Sequence, residues 1–268
     1  MSGSVLSSKL NRRFNLPRPC VAVRNLMEVA VHGHLCTKMN SMQHRRDGYP
    51  FATVVDFATD GAGMPILSLS PLAIHSRNVM ENPACSLMVH MPGWTGLSDA
   101  MVTVFGELRP LSRSMDEDAR ELFASKRSHA FGTDLRMAST TKYFRMDKII
   151  DIQFIGGYGT MEWITAEDYS ECRPDAVVLD QPPPRTLQQL TEAFKEPVTR
   201  LLAHRLQTQV RKPIFISFDA HGVEVRVRTG PLELGTPCAV HRIPLPAPVS
   251  SVKELMAAMD GLLAPHRA

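Results

Sequence analysis

The sequence predicts an α+β fold, mainly β: an antiparallel barrel with peripheral helices, followed by a small C-terminal α+β domain. Two patterns carry this expectation. The first 178 residues hold about six strand-like segments joined by hairpin turns and short helices, without the repeated strand–helix–strand order of a doubly wound sheet. Behind them the proline run of Asp180-Gln-Pro-Pro-Pro-Arg-Thr186 sets off a shorter stretch with its own helix, strands and final helix. Composition agrees with one large or two smaller globular domains: 268 residues, 44% hydrophobic and 21% charged.

In chain order, residues 21–31 place apolar side chains at 23, 26, 27 and 30, the spacing of a helix face. Residues 34–39 read as a strand. A charged break at 43–48 leads into 49–58, rich in β-branched and aromatic residues, and the turn Asp60-Gly-Ala-Gly63 joins this to 65–70 as a hairpin. Pro71 opens a helix that Pro83 closes. Residues 84–91 form a strand, 92–99 a loop carrying Trp94, and 100–108 an alternating strand. Ser114 and Glu117 make a capping-box pattern for a helix running to 128. Residues 142–154 are strand-like until Gly156-Gly-Tyr-Gly159 breaks them, and Thr165 caps a short helix. The proline run reads as a semi-rigid spacer. Beyond it Thr186 and Gln189 suggest a helix start, strands at 213–218 and 223–228 flank the turn Asp219-Ala-His-Gly222, a third strand covers 238–243, and Ser251 caps a last helix. The expected division is a basic arm over 1–20, a barrel over 21–178, a linker over 179–185 and a small α+β domain over 186–268.

Charge and cysteine usage exclude several function classes. Residues 1–27 carry five basic residues and no acid, which leaves −2 for the rest of a chain whose net charge is +3. A basic arm on a nearly neutral body is not the clustered basic face of a nucleic-acid-binding domain. The arm fits either the end of an organellar transit peptide or a plain basic N-terminus, with a cytoplasmic location as the alternative. No apolar run approaches the roughly 20 residues that span a bilayer. Cys20, Cys36, Cys85, Cys172 and Cys238 are widely spaced, odd in number and without metal-ligand spacing, so neither a zinc site nor a disulfide framework is expected and a reducing compartment is the better fit. Cys36 and Cys85 lie in apolar strands and read as packing residues.

Signatures of hydrolases, zinc proteases and nucleotide-binding loops are absent. The glycines around Gly157 and Tyr158 serve either a tight turn or close approach of a ligand. The segment from Ser68 to Leu87 is more informative: a strand end delivers Ser70 to a short helix that carries His75, Ser76 and Arg77. Hydroxyls and a guanidinium so placed hold a phosphate or carboxylate through charge-assisted hydrogen bonds, or else simply cap and solvate the helix. Tyr158 and Trp163 either pack on a flat ring or fill the barrel end.

Several of these motifs occur together in one superfamily. The stretches Asp47-Gly-Tyr-Pro-Phe51, Leu69-Ser-Pro-Leu-Ala-Ile-His-Ser-Arg-Asn78, Asn82-Pro-Ala-Cys-Ser-Leu87, Phe105-Gly-Glu-Leu108, Tyr143-Phe-Arg-Met146 and Phe154-Ile-Gly-Gly-Tyr-Gly159 are similar to the FMN-binding split-barrel superfamily (pyridoxamine 5'-phosphate oxidase-like). Within it they resemble the HugZ-type heme oxygenase branch, in its plant and algal plastid form, and its CREG-like relatives. Residues 216–227 and 241–255 resemble the small domain appended to many of these proteins, although His204-Arg-Leu-Gln-Thr-Gln209 keeps only the first histidine of the motif usual there. The resemblance implies a homodimeric split barrel with a heme or FMN site at the dimer interface. It implies Arg77 as the ligand's anion clamp, with Ser70, His75 and Ser76 beside it and Gly157, Tyr158 and Trp163 as further cofactor neighbours. His75 or His204 is then the expected iron ligand. It also implies heme-degrading oxidoreductase activity, with an external electron donor and oxygen or peroxide. A non-catalytic tetrapyrrole-binding or regulatory scaffold is the alternative, and an FMN-dependent oxidoreductase the third reading.

Overall fold

The computed structural model describes residues 15–42, 45–94, 96, 99–127, 141–157, 160–230 and 238–266. Helix α1 (Pro19–Val29) leads into β1 (His32–Lys38), β2 (Pro50–Thr59) and β3 (Pro65–Leu69). Helix α2 (Ile74–Glu81) separates these from β4 (Ala84–His90) and β5 (Met101–Pro110). After α3 (Asp116–Arg127) come β6 (Lys142–Gly157), β7 (Thr160–Thr165) and α4 (Ala166–Glu171). A short α5 (Ala176–Asp180) is followed by the 24-residue α6 (Pro183–Leu206), then β8 (Val210–Asp219), β9 (Gly222–Thr229), β10 (Cys238–Pro244) and α7 (Val252–Leu263).

The first sheet runs β3-β2-β1-β4-β5-β6-β7, and β3 also pairs with β6, so six antiparallel strands close into a barrel and β7 is added outside the closure. The seventh strand corrects the expectation of about six. The glycine segment does not end the strand region: β6 continues to Gly157, which pairs with Thr160 at the start of β7. Alternation sets the barrel's inside. On β1, Gly33, Leu35 and Thr37 are buried while His32, His34, Cys36 and Lys38 point outward. Val55, Phe57, Leu67, Leu87, Val104 and Ile152 supply the matching inward residues of neighbouring strands.

Helix α1 is fixed by polar contacts as well as by Val23, Leu26 and Met27. The buried Arg24 guanidinium donates to the Ala62 carbonyl at 2.6 Å, in the β2–β3 turn, and lies 4.9 Å over the Tyr169 ring. The Tyr169 hydroxyl donates to the Gly63 carbonyl at 2.7 Å. Asn25 donates to Asp175 at 2.8 Å. Cys20 and Cys172 form a disulfide across 152 residues of sequence, which corrects the expectation of five unpaired thiols. The two come together because α1 packs beside the end of α4, a contact that no local spacing encodes. Cys85 behaves as expected: it packs on the barrel core, and burial pushes its thiol up to about 12.

The C-terminal unit is an antiparallel β8–β9–β10 meander covered by α6 and α7 around Phe194, Leu201, Phe218, Val225 and Leu255. Here the proline run is the helix start and not a spacer. Pro183 and Pro184 occupy the first positions of α6, where a missing N–H costs nothing. Thr186 is fully buried inside that first turn and caps nothing. Thr165 and Ser251 do cap α4 and α7, accepting from the amides of Asp168 and Glu254. The guanidinium of Arg242 lies 2.8 Å from Asp219 and 3.8 Å from Glu224, and donates to the Asn15 carbonyl.

Candidate functional site

The helix after β3 holds most of the predicted residues. Ser76 is buried, and its hydroxyl donates to the Ser70 carbonyl at 2.6 Å. The Ser70 hydroxyl in turn accepts from the Leu72 amide at 3.4 Å. Both serines therefore close the turn between β3 and α2. Fully buried Asn78 docks this helix on the barrel: it donates to Thr37 Oγ1 at 2.9 Å and accepts from the Asn40 amide at 3.1 Å. His75 Nδ1 is 3.0 Å from Thr53 Oγ1, and its Nε2 is buried without a partner. Burial lowers the His75 pKa, which favours the neutral ring. Arg77 is exposed, and its side chain makes no hydrogen bond or ion pair among the described residues. Of the predicted cluster, the Arg77 guanidinium and one His75 nitrogen remain uncommitted.

The other predicted residues lie elsewhere. Trp163, on β7, is 56% exposed and stacks on Phe105 of β5 with ring centroids 6.1 Å apart. Val54 of β2 and Met161 of β7 are each 64% exposed, so the outer sheet face carries uncovered apolar side chains on both flanks. Gly157 is the last residue of β6, and Tyr158 lies outside the described residues. His204 is exposed in the last turn of α6, its ring 6.5 Å from that of His266.

A cleft of about 720 Å³ opens on the outer face at the other end of β1. Its walls are Val29, Ala30 and Val31 after α1, His32 and His34 of β1, His90 and the following residues to Trp94, and Pro184, Leu187 and Gln188 of α6. The His34 and His90 rings meet edge to face at 5.2 Å, and His90 lies 4.7 Å from the Trp94 ring. Burial lowers the His90 pKa, reinforced by neighbouring His34 and His32. His34 Nδ1 is buried without a partner. Imidazoles in an apolar slot offer ring nitrogens to a metal centre, and Trp94 offers a stacking surface. No group of three or more His, Cys, Asp or Glu suited to a bare metal ion exists among the described residues. A heme fits this donor set, because its iron needs only an axial imidazole. None of Ser70, His75, Ser76, Arg77, Trp163 or His204 lines the cleft. Sequence reasoning missed it because His34 and His90 are 56 positions apart and meet only through the β1–β4 register, His34 opposite Met88. The sequence carries one local signal of the cleft, His32 and His34 at alternate positions of one strand.

A closed six-strand antiparallel barrel with an added strand, peripheral helices and a separate C-terminal sheet is the architecture expected of a split barrel. The chain belongs to the CREG β-barrel family, whose profile matches residues 19–171. It is 23% identical over 206 residues to the chloroplastic non-canonical heme oxygenase HOZ of Arabidopsis thaliana, a match covering 75% of this chain and 61% of that protein. The chain thus spans less than two thirds of that relative's length. Its fold is similar to that of a heme binding protein from Mycobacterium smegmatis, with a TM-score of 0.54, 22% identity, and coverage of 94% of this chain and 98% of the other. No helix among the described residues is long and apolar enough to cross a membrane.

Proposed function

We propose that this protein binds heme as a homodimer, with the outer sheet face of the barrel turned toward the second copy and the bound heme open to oxidative degradation. The observation that carries this reading is that face: Val54, Met161 and Trp163 are each more than half exposed across one sheet, and the Phe105–Trp163 pair is flat and aromatic. Exposed apolar and aromatic side chains of this kind are available to a partner or a ligand. Arg77, exposed and without a side-chain partner among the described residues, is the cation we assign to an acid group of the ligand. The relatives add support, since one is named a heme oxygenase and another a heme binding protein. The chloroplastic relative and the acid-free basic segment before residue 28 support a plastid location.

FMN is less well served. A phosphate wants several donors, and the Ser76 hydroxyl is already committed to the Ser70 carbonyl. The test is a visible absorption titration with hemin beside one with FMN, together with light scattering at micromolar protein. A saturable Soret shift at one heme per chain, a dimer mass and no FMN response are expected. Loss of the Soret band on adding ascorbate identifies turnover, and a stable band identifies a carrier. With the ligand's acid group at Arg77, Arg77→Ala weakens hemin binding about fivefold, the scale of one exposed charge-assisted contact of about 1 kcal/mol; with the heme in the His34–His90 cleft, which Arg77 does not line, it leaves binding unchanged. A monomer without a hemin response removes the reading.

A further inference from the structure

We infer that the heme iron is taken by the His34–His90 pair, in the cleft between the barrel and the first turn of α6. This rests on the heme reading above and assigns the iron to residues outside the predicted cluster. The cleft's 720 Å³ lies within the roughly 300–1,000 Å³ of small-molecule sites. Its walls are apolar where a porphyrin plane would lie: Ala30, Val31, Pro92, Pro184 and Leu187.

The two imidazoles are the uncommitted polar groups of this slot. Among the described residues neither ring makes a hydrogen bond. Rings meeting edge to face at 5.2 Å cannot both face one iron from opposite sides, so one ligates and the other packs against it. Trp94, 4.7 Å from His90, closes the stack. At the rim the Arg226 guanidinium donates to the Gly93 carbonyl at 3.1 Å and brings positive charge beside the cleft.

The expected alternatives are placed less well. His204 and the cleft residue Pro184 lie 20 positions apart on α6, about 30 Å along a helix axis. His75 spends one nitrogen on Thr53, and its other nitrogen is buried away from the cleft. A second consequence follows from Pro184, Leu187 and Gln188: the C-terminal unit supplies one wall, so the ligand touches both parts of the chain.

The test uses the full chain and hemin. His34→Gln, His90→Gln, the double variant and His75→Gln are titrated, and ferric spin state is read by electron paramagnetic resonance. The double variant loses the imidazole-ligated signature and binds hemin at least tenfold more weakly, while His75→Gln matches wild type. In a His34→Gly/His90→Gly protein, added imidazole restores the signature. Should the double variant unfold, as judged by circular dichroism, Leu187→Trp fills the cleft with both histidines intact and is expected to weaken hemin binding to the same degree. Wild-type spectra and affinity in the double variant, or in a folded Leu187→Trp, overturn the assignment. A wild-type protein that takes no hemin removes the heme reading itself, a distinct outcome.

Discussion

Replacing Gly63 with alanine tests the anchoring of α1 directly. Gly63 ends the β2–β3 turn at φ +87°, and its amide donates to the Asp60 carbonyl at 2.7 Å. Left-handed backbone costs a non-glycine residue about 1–2 kcal/mol. The added methyl group would also fall on the Arg24 guanidinium, which is only 2% exposed. Moving that group breaks its 2.6 Å bond to the Ala62 carbonyl and its place over Tyr169. A lost hydrogen bond from a charged group costs about 1.5–3 kcal/mol. The total is about 3–5 kcal/mol, and at roughly 2–4 °C per kcal/mol the melting temperature should fall by about 10 °C. Gly61→Ala is the control two positions earlier: nothing lies within 4 Å of its added carbon, and its stability should stay within about 0.5 kcal/mol of wild type. Calorimetry and urea unfolding of both variants measure the difference. If Gly63→Ala comes within 1 kcal/mol of wild type, Arg24 is not held as described and the account of α1 is wrong.

Two further outcomes are expected. Cys20→Ser should lower stability under oxidising conditions by up to about 5 kcal/mol, the loop-closure value for a cross-link spanning 152 residues. Wild type treated with dithiothreitol should melt with the variant, and identical melting of untreated wild type and variant would exclude a stabilising bridge. In the C-terminal unit, burial pushes the Glu224 carboxyl up to about 7, against the opposing charge of Arg242. A carboxyl raised in the folded state contributes stability that is fully present below its unfolded pKa near 4.5 and is lost as pH rises through about 7. Glu224→Gln should therefore gain on wild type by up to about 3 kcal/mol between pH 4.5 and 7. A difference that stays flat across this window in paired urea titrations would show that Glu224 is ionised throughout.

The strands were legible because their signal is local. Alternation in 100–108, the β-branched run before Asp60 and the glycine turn behind it are all contained within ten residues of chain. The capping threonine and serine at 165 and 251 were legible for the same reason. Barrel closure was not, since β3 and β6 pair across an intervening 70-odd residues and nothing in either strand names the other. The start of α6 was misread because three prolines suggest a spacer, yet two of them suit the first turn of a helix. Candidate ligands divide along the same line. The α2 cluster is contiguous in sequence and was seen. His34, His90, Trp94 and Leu187 are assembled from two strands, a loop and a helix, and only the three-dimensional register brings them to one cleft.

The attachments of α1 also order events in time. The helix and the residues just before it are made ahead of their partners: Cys172, Asp175 and the Arg242 that holds Asn15 come up to 227 residues later. At a synthesis rate of about 5–20 residues per second, the wait lasts roughly 10–45 seconds. During that interval the apolar side of α1, with Val23, Leu26 and Met27, has no finished barrel to enter. This helix is among the last elements to be fixed although it is made before the residues that hold it, so the nascent protein carries an unsheltered hydrophobic helix until they follow.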